Sequence, residues 1–273
     1  MIQVKEISGA ATKAGVKDIQ IEKDYVISWI LYGIAEIPFL KENLIFKGGT
    51  VLKKAYFPAY RFSEELEFSI KGGFNPEDIK SVFSELIKIV FEKSGITLSL
   101  KGDTREDANY YNFGISYKGP LGGSASGKNI RVDIAKNELV YNPPVEKEIA
   151  STYSDLVNKK VYLLCYTLDE IVAEKMCSLM QRTSSRDIYD IWYLLEMDGH
   201  VIEDCIFTFQ EKAKLKKLDP KDLKGIIEKN VQGFAKHWRD HLSHQMKKVP
   251  DYHDTWRSLE KYWRRYQRFI EAM

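Results

Sequence analysis

Lys47-Gly48-Gly49-Thr50-Val51-Leu52-Lys53-Lys54, and a few residues later Arg61-Phe62-Ser63-Glu64-Glu65-Leu66-Glu67-Phe68-Ser69-Ile70, is the stretch that decides the fold. Two glycines and a threonine hydroxyl stand before an apolar-periodic run from Val51 to Phe57, which reads as a turn opening a short helix. The second segment has a period of two. Leu66, Phe68 and Ile70 face one way and Glu65, Glu67 and Ser69 the other, the signature of a half-buried strand. Carboxylates two apart on a strand lie roughly 6–7 Å from each other at the backbone, so their side chains can converge on shared divalent ions.

Further along, Asn129-Ile130-Arg131-Val132-Asp133-Ile134-Ala135 alternates in the same way, with Ile130, Val132 and Ile134 directed to the core and Asp133 on the polar face beside Arg131. Asp133 is thus a third strand carboxylate. Three carboxylates around one or two ions suit phosphoryl or nucleotidyl transfer, and an oxygen-rich, sulfur-free set favours Mg²⁺ or Mn²⁺ over zinc. Gly48-Gly49-Thr50, opening a helix, offers backbone amides and a hydroxyl to a triphosphate. The glycines between Gly119 and Gly127 are spaced unlike a dinucleotide or Walker A loop and read as a hairpin connection.

Around this centre, Ile19, Ile21, Tyr25, Trp29, Leu31 and Ile34 recur at amphipathic-helix spacing. Gly72 to Pro76 is a loop with Asn75 as a helix start, residues 79–91 are helical, and strands are expected at 96–101, 110–118 and 129–135. After Asn142-Pro143-Pro144 the chain reads as helical almost to its end. Thr167 or Asp169 caps a helix reaching about Met180, Thr183-Ser184-Ser185 interrupts it, and further helices fall at 186–196, 202–215, 220–245 and 254–271. The expected fold class is α/β (α+β): a mixed-sheet core over residues 1–160 and a helical, basic second domain over 161–273 that contributes to the site.

The 273 residues, 44% hydrophobic and 29% charged, can bury one large core or two ordinary ones, which excludes disordered and fibrous classes. No run reaches the roughly 18–20 apolar residues of a membrane span and the N-terminus lacks a signal-peptide stretch, so a soluble, cytoplasmic protein is expected. Cys165, Cys177 and Cys205 are odd in number and far apart, which argues for buried thiols and against disulfides or structural zinc. Residues 211–273 carry 16 Lys and Arg against 9 Asp and Glu, and residues 1–210 carry 25 against 30. A basic end on a more acidic body points to a polyanionic partner such as nucleic acid. In that region Trp256, Leu259, Tyr262, Trp263, Tyr266, Phe269 and Ile270 read as a buried helix stripe, with arginines on the other face free to touch RNA. His237, His241 and His244 read as surface or packing residues.

The Gly-Gly-Thr and acidic-strand segments resemble the motifs of the AbiEii and MenT nucleotidyltransferase-like toxins, members of the DNA polymerase β-like superfamily. The resemblance extends to Ile21-Glu22-Lys23-Asp24-Tyr25, to Leu168-Asp169-Glu170-Ile171-Val172-Ala173-Glu174-Lys175, and to Arg182, Arg186-Asp187 and Tyr189-Asp190. It implies a type IV toxin–antitoxin toxin that uses a nucleoside triphosphate and Mg²⁺ to add nucleotides to an acceptor, in some relatives the 3′ end of tRNA, and that is met by a cognate antitoxin. By residue, it implies that Lys47, Gly48, Gly49, Thr50 and Ser63 bind nucleotide. Glu65, Glu67 and Asp133 would hold metal, Lys175 and Arg182 would contact the triphosphate, and Asp187 and Asp190 would complete the catalytic set. One departure stands out: the pattern has aspartate at the position of Glu65, and usually at that of Glu67. The extra methylene moves each carboxylate outward and is expected to impair turnover. Two alternatives remain open, a nucleotidyltransferase acting on protein or a small molecule and a non-catalytic nucleotide-binding homologue. Ser184 to Asp187 also fits a helix cap, with Asp190 in an i,i+4 pair with Arg186.

Overall fold

The computed structural model describes residues 1–71, 76–106, 109–123 and 127–272; the expected loop at 72–75 and the middle of the Gly119–Gly127 connection lie outside them. Elements run α1 (Val4–Ala14), α2 (Asp18–Glu36), α3 (Pro38–Asn43), β1 (Leu44–Lys47), α4 (Gly48–Val51), β2 (Glu65–Ile70), α5 (Pro76–Ser94), β3 (Thr97–Glu106), β4 (Tyr110–Lys118), β5 (Asn129–Ala135), β6 (Val145–Glu148) and β7 (Tyr162–Cys165). They continue with α6 (Leu168–Gln181), α7 (Ser185–Trp192), α8 (Ile206–Leu215), α9 (Leu223–Lys229), α10 (Val231–Leu242) and α11 (Tyr252–Ala272). The chain divides into two compact units: residues 1–138 with 144–165, and residues 139–143 with 166–273.

The first unit is built on a seven-stranded mixed sheet in the order β3-β4-β5-β2-β1-β7-β6. The strands β1 and β2 pair antiparallel, whereas β2 with β5 and β1 with β7 pair parallel, so residues far apart in sequence meet at the sheet centre. Two strands depart from the helical reading after Pro144. Val145-Glu146-Lys147-Glu148 and Tyr162-Leu163-Leu164-Cys165 are β6 and β7, antiparallel partners at the sheet edge. Edge strands tolerate charge, so β6 carries none of the apolar run that marks a central strand. The strand β1 is another addition: Leu44, Ile45, Phe46 and Lys47 are all buried, and a run of four is too short to show a period.

The helix α2 is buried on almost every side from Gln20 to Ile34, where the sequence spacing predicts one apolar stripe. Its Gly33 lets α5 approach: a Cβ there would stand 2.9 Å from Leu86 Cγ and 3.0 Å from Val90 Cγ2. Burying this helix encloses its charged residues, and each has partners. Glu22 accepts from the Leu121 amide and Lys128 Nζ, both at 2.8 Å. Asp24 accepts from Lys54 Nζ at 2.7 Å and from the Tyr153 hydroxyl at 2.8 Å, while Ser28 Oγ receives Lys54 at 2.8 Å. Burial alone would raise the Asp24 carboxyl; Lys54 and Lys53 reverse this and hold it below the ordinary range.

The second unit is helical. Thr167 caps α6 by accepting the Glu170 amide, and Ser184 caps α7 by accepting the Asp187 amide, as the sequence signals require. The fully buried Glu170 explains why residues 139–143 join this unit. It accepts from the amides of Tyr141 and Asn142 at 3.1 and 2.9 Å and pairs with Lys212 at 2.8 Å. Leu259, Tyr262, Trp263, Tyr266 and Ile270 form the buried stripe of α11, leaving Arg257, Arg264 and Arg268 exposed. No helix among the described residues is long and apolar enough to cross a membrane.

The Asp24–Lys54 pair yields a stability prediction. Asp24→Ala leaves a buried ammonium uncompensated and is expected to cost about 3–5 kcal/mol in urea denaturation, while replacing both residues together (Asp24→Leu with Lys54→Met) recovers most of that loss.

Candidate functional site

Strand pairing in the first unit assembles a polar row. Lys47 pairs with Glu67, Glu67 with Asp133, and Asp133 with Asn112, across β1, β2, β5 and β4. Directly paired residues share a face, so these four side chains stand side by side. Glu65 lies two residues along the same strand, paired with Arg131, and the three carboxylates Glu65, Glu67 and Asp133 therefore occupy one face. The opposite face is apolar: Phe46, Leu66, Phe68, Val132 and Ile134 are fully buried, and the Phe46 and Phe68 rings lie 5.3 Å apart.

The glycine turn is fitted to this face. Gly48 adopts the left-handed region at φ 78°, and a Cβ there would run into the Glu67 carboxylate. A Cβ on Gly49 would stand 3.0 Å from Arg61 Nη2 and 3.4 Å from Ser63 Oγ, which places buried Arg61 and Ser63 against the turn. Thr50 is buried and its hydroxyl donates to the Glu65 carbonyl, tying α4 to β2, a use different from the phosphate contact the sequence suggests. The helix α4 is only four residues long and continues as a wider π turn over Leu52–Tyr56, so backbone amides at the turn, more than a long helix dipole, are what it offers an anion.

Charges on the face are coupled. Lys47 is 6% exposed and ion-paired to Glu138, whose Oε2 also accepts from Ser69 Oγ at 2.8 Å. Asp133 accepts from Arg131 Nε at 2.9 Å. Burial raises the Asp133 carboxyl above its ordinary value; Arg131 and Lys47 oppose the rise and Glu65 adds to it, as expected where cations and carboxylates share a face. Glu138 escapes sequence reasoning because it follows β5 in a segment with no period; only the ion pair to Lys47 reveals it.

A second cluster lies wholly in the helical unit. Lys175, 8% exposed on α6, reaches Asp187 Oδ1 at 2.9 Å and Asp190 Oδ2 at 2.7 Å on α7. Arg182, at the end of α6, donates to Asp187 Oδ2 from Nε at 3.2 Å and from Nη2 at 3.1 Å. Burial would raise Asp187, but Lys175 and Arg182 outweigh it and hold the carboxyl below the ordinary range. Asp187 fits the helix-cap reading, its amide donating to Ser184 Oγ, and its side chain accepts from Lys175. Among the histidines, the rings of His237 and His241 stack at 5.3 Å.

The model for the family described as nucleotidyl transferase AbiEii toxin, type IV toxin–antitoxin system, matches residues 29–268. No curated protein matches the sequence. Among solved structures, MenT4, a nucleotidyltransferase toxin from Mycobacterium tuberculosis, is similar with a TM-score of 0.61 at 15% identity, covering 100% of this chain and 91% of that one. JHP933 from Helicobacter pylori is similar with a TM-score of 0.59 at 14% identity, over 94% and 95% of the two chains. At these identities the structural likeness speaks for the fold.

The Lys175 cluster is expected to hold the helical unit together. Lys175→Ala leaves two buried carboxylates facing each other and should cost about 3–5 kcal/mol in urea unfolding at neutral pH, whereas Arg182→Ala, at an exposed side chain, should cost less than about 1 kcal/mol. Because the Asp187 carboxyl is held low in the folded state, its contribution is complete above its unfolded value. It is lost as pH falls through the folded one, so the gap between wild type and Lys175→Ala should shrink below about pH 4.

Proposed function

Because the chain belongs to the AbiEii nucleotidyltransferase toxin family of type IV toxin–antitoxin systems, we propose that it transfers nucleotides from a nucleoside triphosphate, with Mg²⁺ or Mn²⁺, onto an RNA acceptor, the 3′ end of tRNA. The observation that carries this reading is the row in which Glu67 and Asp133 stand beside each other, with Glu65 on the same face and the Gly48 turn against it. The donor set fits a hard divalent ion: carboxylate oxygens, with neither sulfur nor imidazole among the named residues. Glu65, Glu67 and Asp133 would hold it. When bound, such an ion acidifies an attacking hydroxyl and neutralises triphosphate charge.

The chain's own residues do the rest. The amides of Gly48, Gly49 and Thr50 donate to phosphate oxygens, Ser63 adds a hydroxyl, and buried Lys47 supplies a cation on the carboxylate face. Lys175 and Arg182 are proposed as further triphosphate-binding cations, with Asp187 and Asp190 holding Lys175 in one position. An RNA acceptor is supported by the basic C-terminal region, where Arg257, Arg264 and Arg268 are exposed on α11. Family membership brings with it a cognate antitoxin.

A second reading, nucleotide binding with little transfer, is favoured by one feature. Glu65 and Glu67 reach one methylene further than aspartate, and the Glu67 carboxylate is pressed against Gly48. Misplacement of a reacting group by about 1 Å can cost about 10²-fold in rate.

Transfer of label from each α-labelled triphosphate onto total tRNA separates the two readings. The protein is expected to label tRNA slowly, the double variant Glu65→Asp/Glu67→Asp up to about 10²-fold faster, and Asp133→Asn not at all. If triphosphate binds and no form labels tRNA, the tRNA reading fails and other acceptors or a binding role replace it.

A further inference from the structure

The helical unit contains a cluster unrelated to the carboxylate face. Asp169 lies in the first turn of α6, His200 follows the turn at Gly199, and Cys205 ends the short 3-10 helix Ile202–Cys205 that leads into α8. One donor atom from each side chain lies within 4.8 Å of the others. His200 Nε2 is 2.6 Å from Asp169 Oδ1, and Cys205 Sγ is 3.6 Å from the same oxygen.

We propose that Asp169, His200 and Cys205 form a three-ligand site for a thiophilic divalent cation, Zn²⁺ foremost, which fastens the first turn of α6 to the segment leading into α8. One thiolate, one imidazole and one carboxylate make a mixed donor set suited to zinc, and three protein ligands leave the fourth tetrahedral position to water. The backbone around them is fixed: the His200 amide donates to Leu194 O at 2.9 Å and the Asp204 amide to Val201 O at 3.2 Å. Asp198 and Asp204 add negative charge around His200. That charge opposes the one unfavourable feature of the location, the positive end of the α6 dipole.

Loading needs only small movement. The 2.6 Å contact between His200 and Asp169 would open to roughly 3.3 Å, the edge of a tetrahedron with bonds of about 2.0–2.1 Å. Without an ion, burial and the neighbouring carboxylates keep Cys205 as a thiol. On binding, the S–H bond breaks, the sulfur electron pair forms the S–Zn bond and the proton leaves to solvent. His200 binds through the Nε2 lone pair of its neutral form, so the proton that Nε2 donates to Asp169 must first leave to solvent, with Nδ1 keeping the ring's remaining N–H. The sequence argues against structural zinc because it holds no paired cysteines at short spacing; here the ligands are scattered over 37 positions and meet only through helix packing.

The test uses the full chain, stripped with a chelator and titrated with Zn²⁺ in competition with a chromophoric chelator, beside Cys205→Ser, His200→Gln and Cys177→Ser. One ion per chain is expected to bind to the wild type and to Cys177→Ser. Affinity should fall at least about tenfold in Cys205→Ser and in His200→Gln, the lower end of the loss caused by removing even an outer partner of a metal site. Co²⁺ added to the wild type should give a thiolate-to-cobalt charge-transfer band, a readout independent of whether the variants fold. Wild-type affinity in His200→Gln, or a Co²⁺ spectrum lacking the thiolate band, would overturn the proposal.

Discussion

The site rests on one steric fit: the Glu67 carboxylate fills the space that a Cβ on residue 48 would take. Gly48 is in the left-handed region, which redirects the chain out of β1, and only glycine there leaves room for the acid. That close approach places the amides of the turn and the carboxylates of β2 on one side of the sheet. The Thr50 hydroxyl bonds to the Glu65 carbonyl and fixes α4 to the same strand. Triphosphate-binding and metal-binding candidates are thereby set by one local contact and one strand pairing.

Burying acids costs electrostatic energy, and the chain offsets it with buried lysines. Lys47 pairs with Glu138 on the carboxylate face, Lys54 with Asp24 of α2, Lys175 with Asp187 and Asp190, and Lys212 with Glu170. Buried pairs of this kind add little net stability over apolar packing, but removal of one partner is costly, so each enforces a particular arrangement. In the helical unit, Glu170 fixes residues 139–143 in this way, with amides of a connecting segment as part of its coordination.

Where a local rule determines structure, the sequence is readable. The alternation of β2 and β5, the caps at Thr167 and Ser184, and the stripe of α11 all follow from periods and hydrogen bonds within a few residues. The candidate acids Glu65, Glu67 and Asp133 were readable for the same reason, since strand period alone assigns their face. What long-range pairing determines was hidden: β1 is too short to show a pattern, β6 and β7 look like charged or helical connections, and α2 shows one stripe although it is enclosed. Glu138 and the Asp169–His200–Cys205 cluster carry no spacing signal, because their partners come from other elements.

The central claim is that the face bearing Glu65, Glu67 and Asp133 holds the divalent ion that accompanies the triphosphate. Electron paramagnetic resonance of Mn²⁺ titrated into the full chain with a nucleoside triphosphate, for wild type and Asp133→Asn, tests this most directly. The account predicts protein-bound Mn²⁺ in the wild type and loss of that signal in Asp133→Asn, with the fold unchanged by circular dichroism. Equal Mn²⁺ binding by the two forms would contradict it.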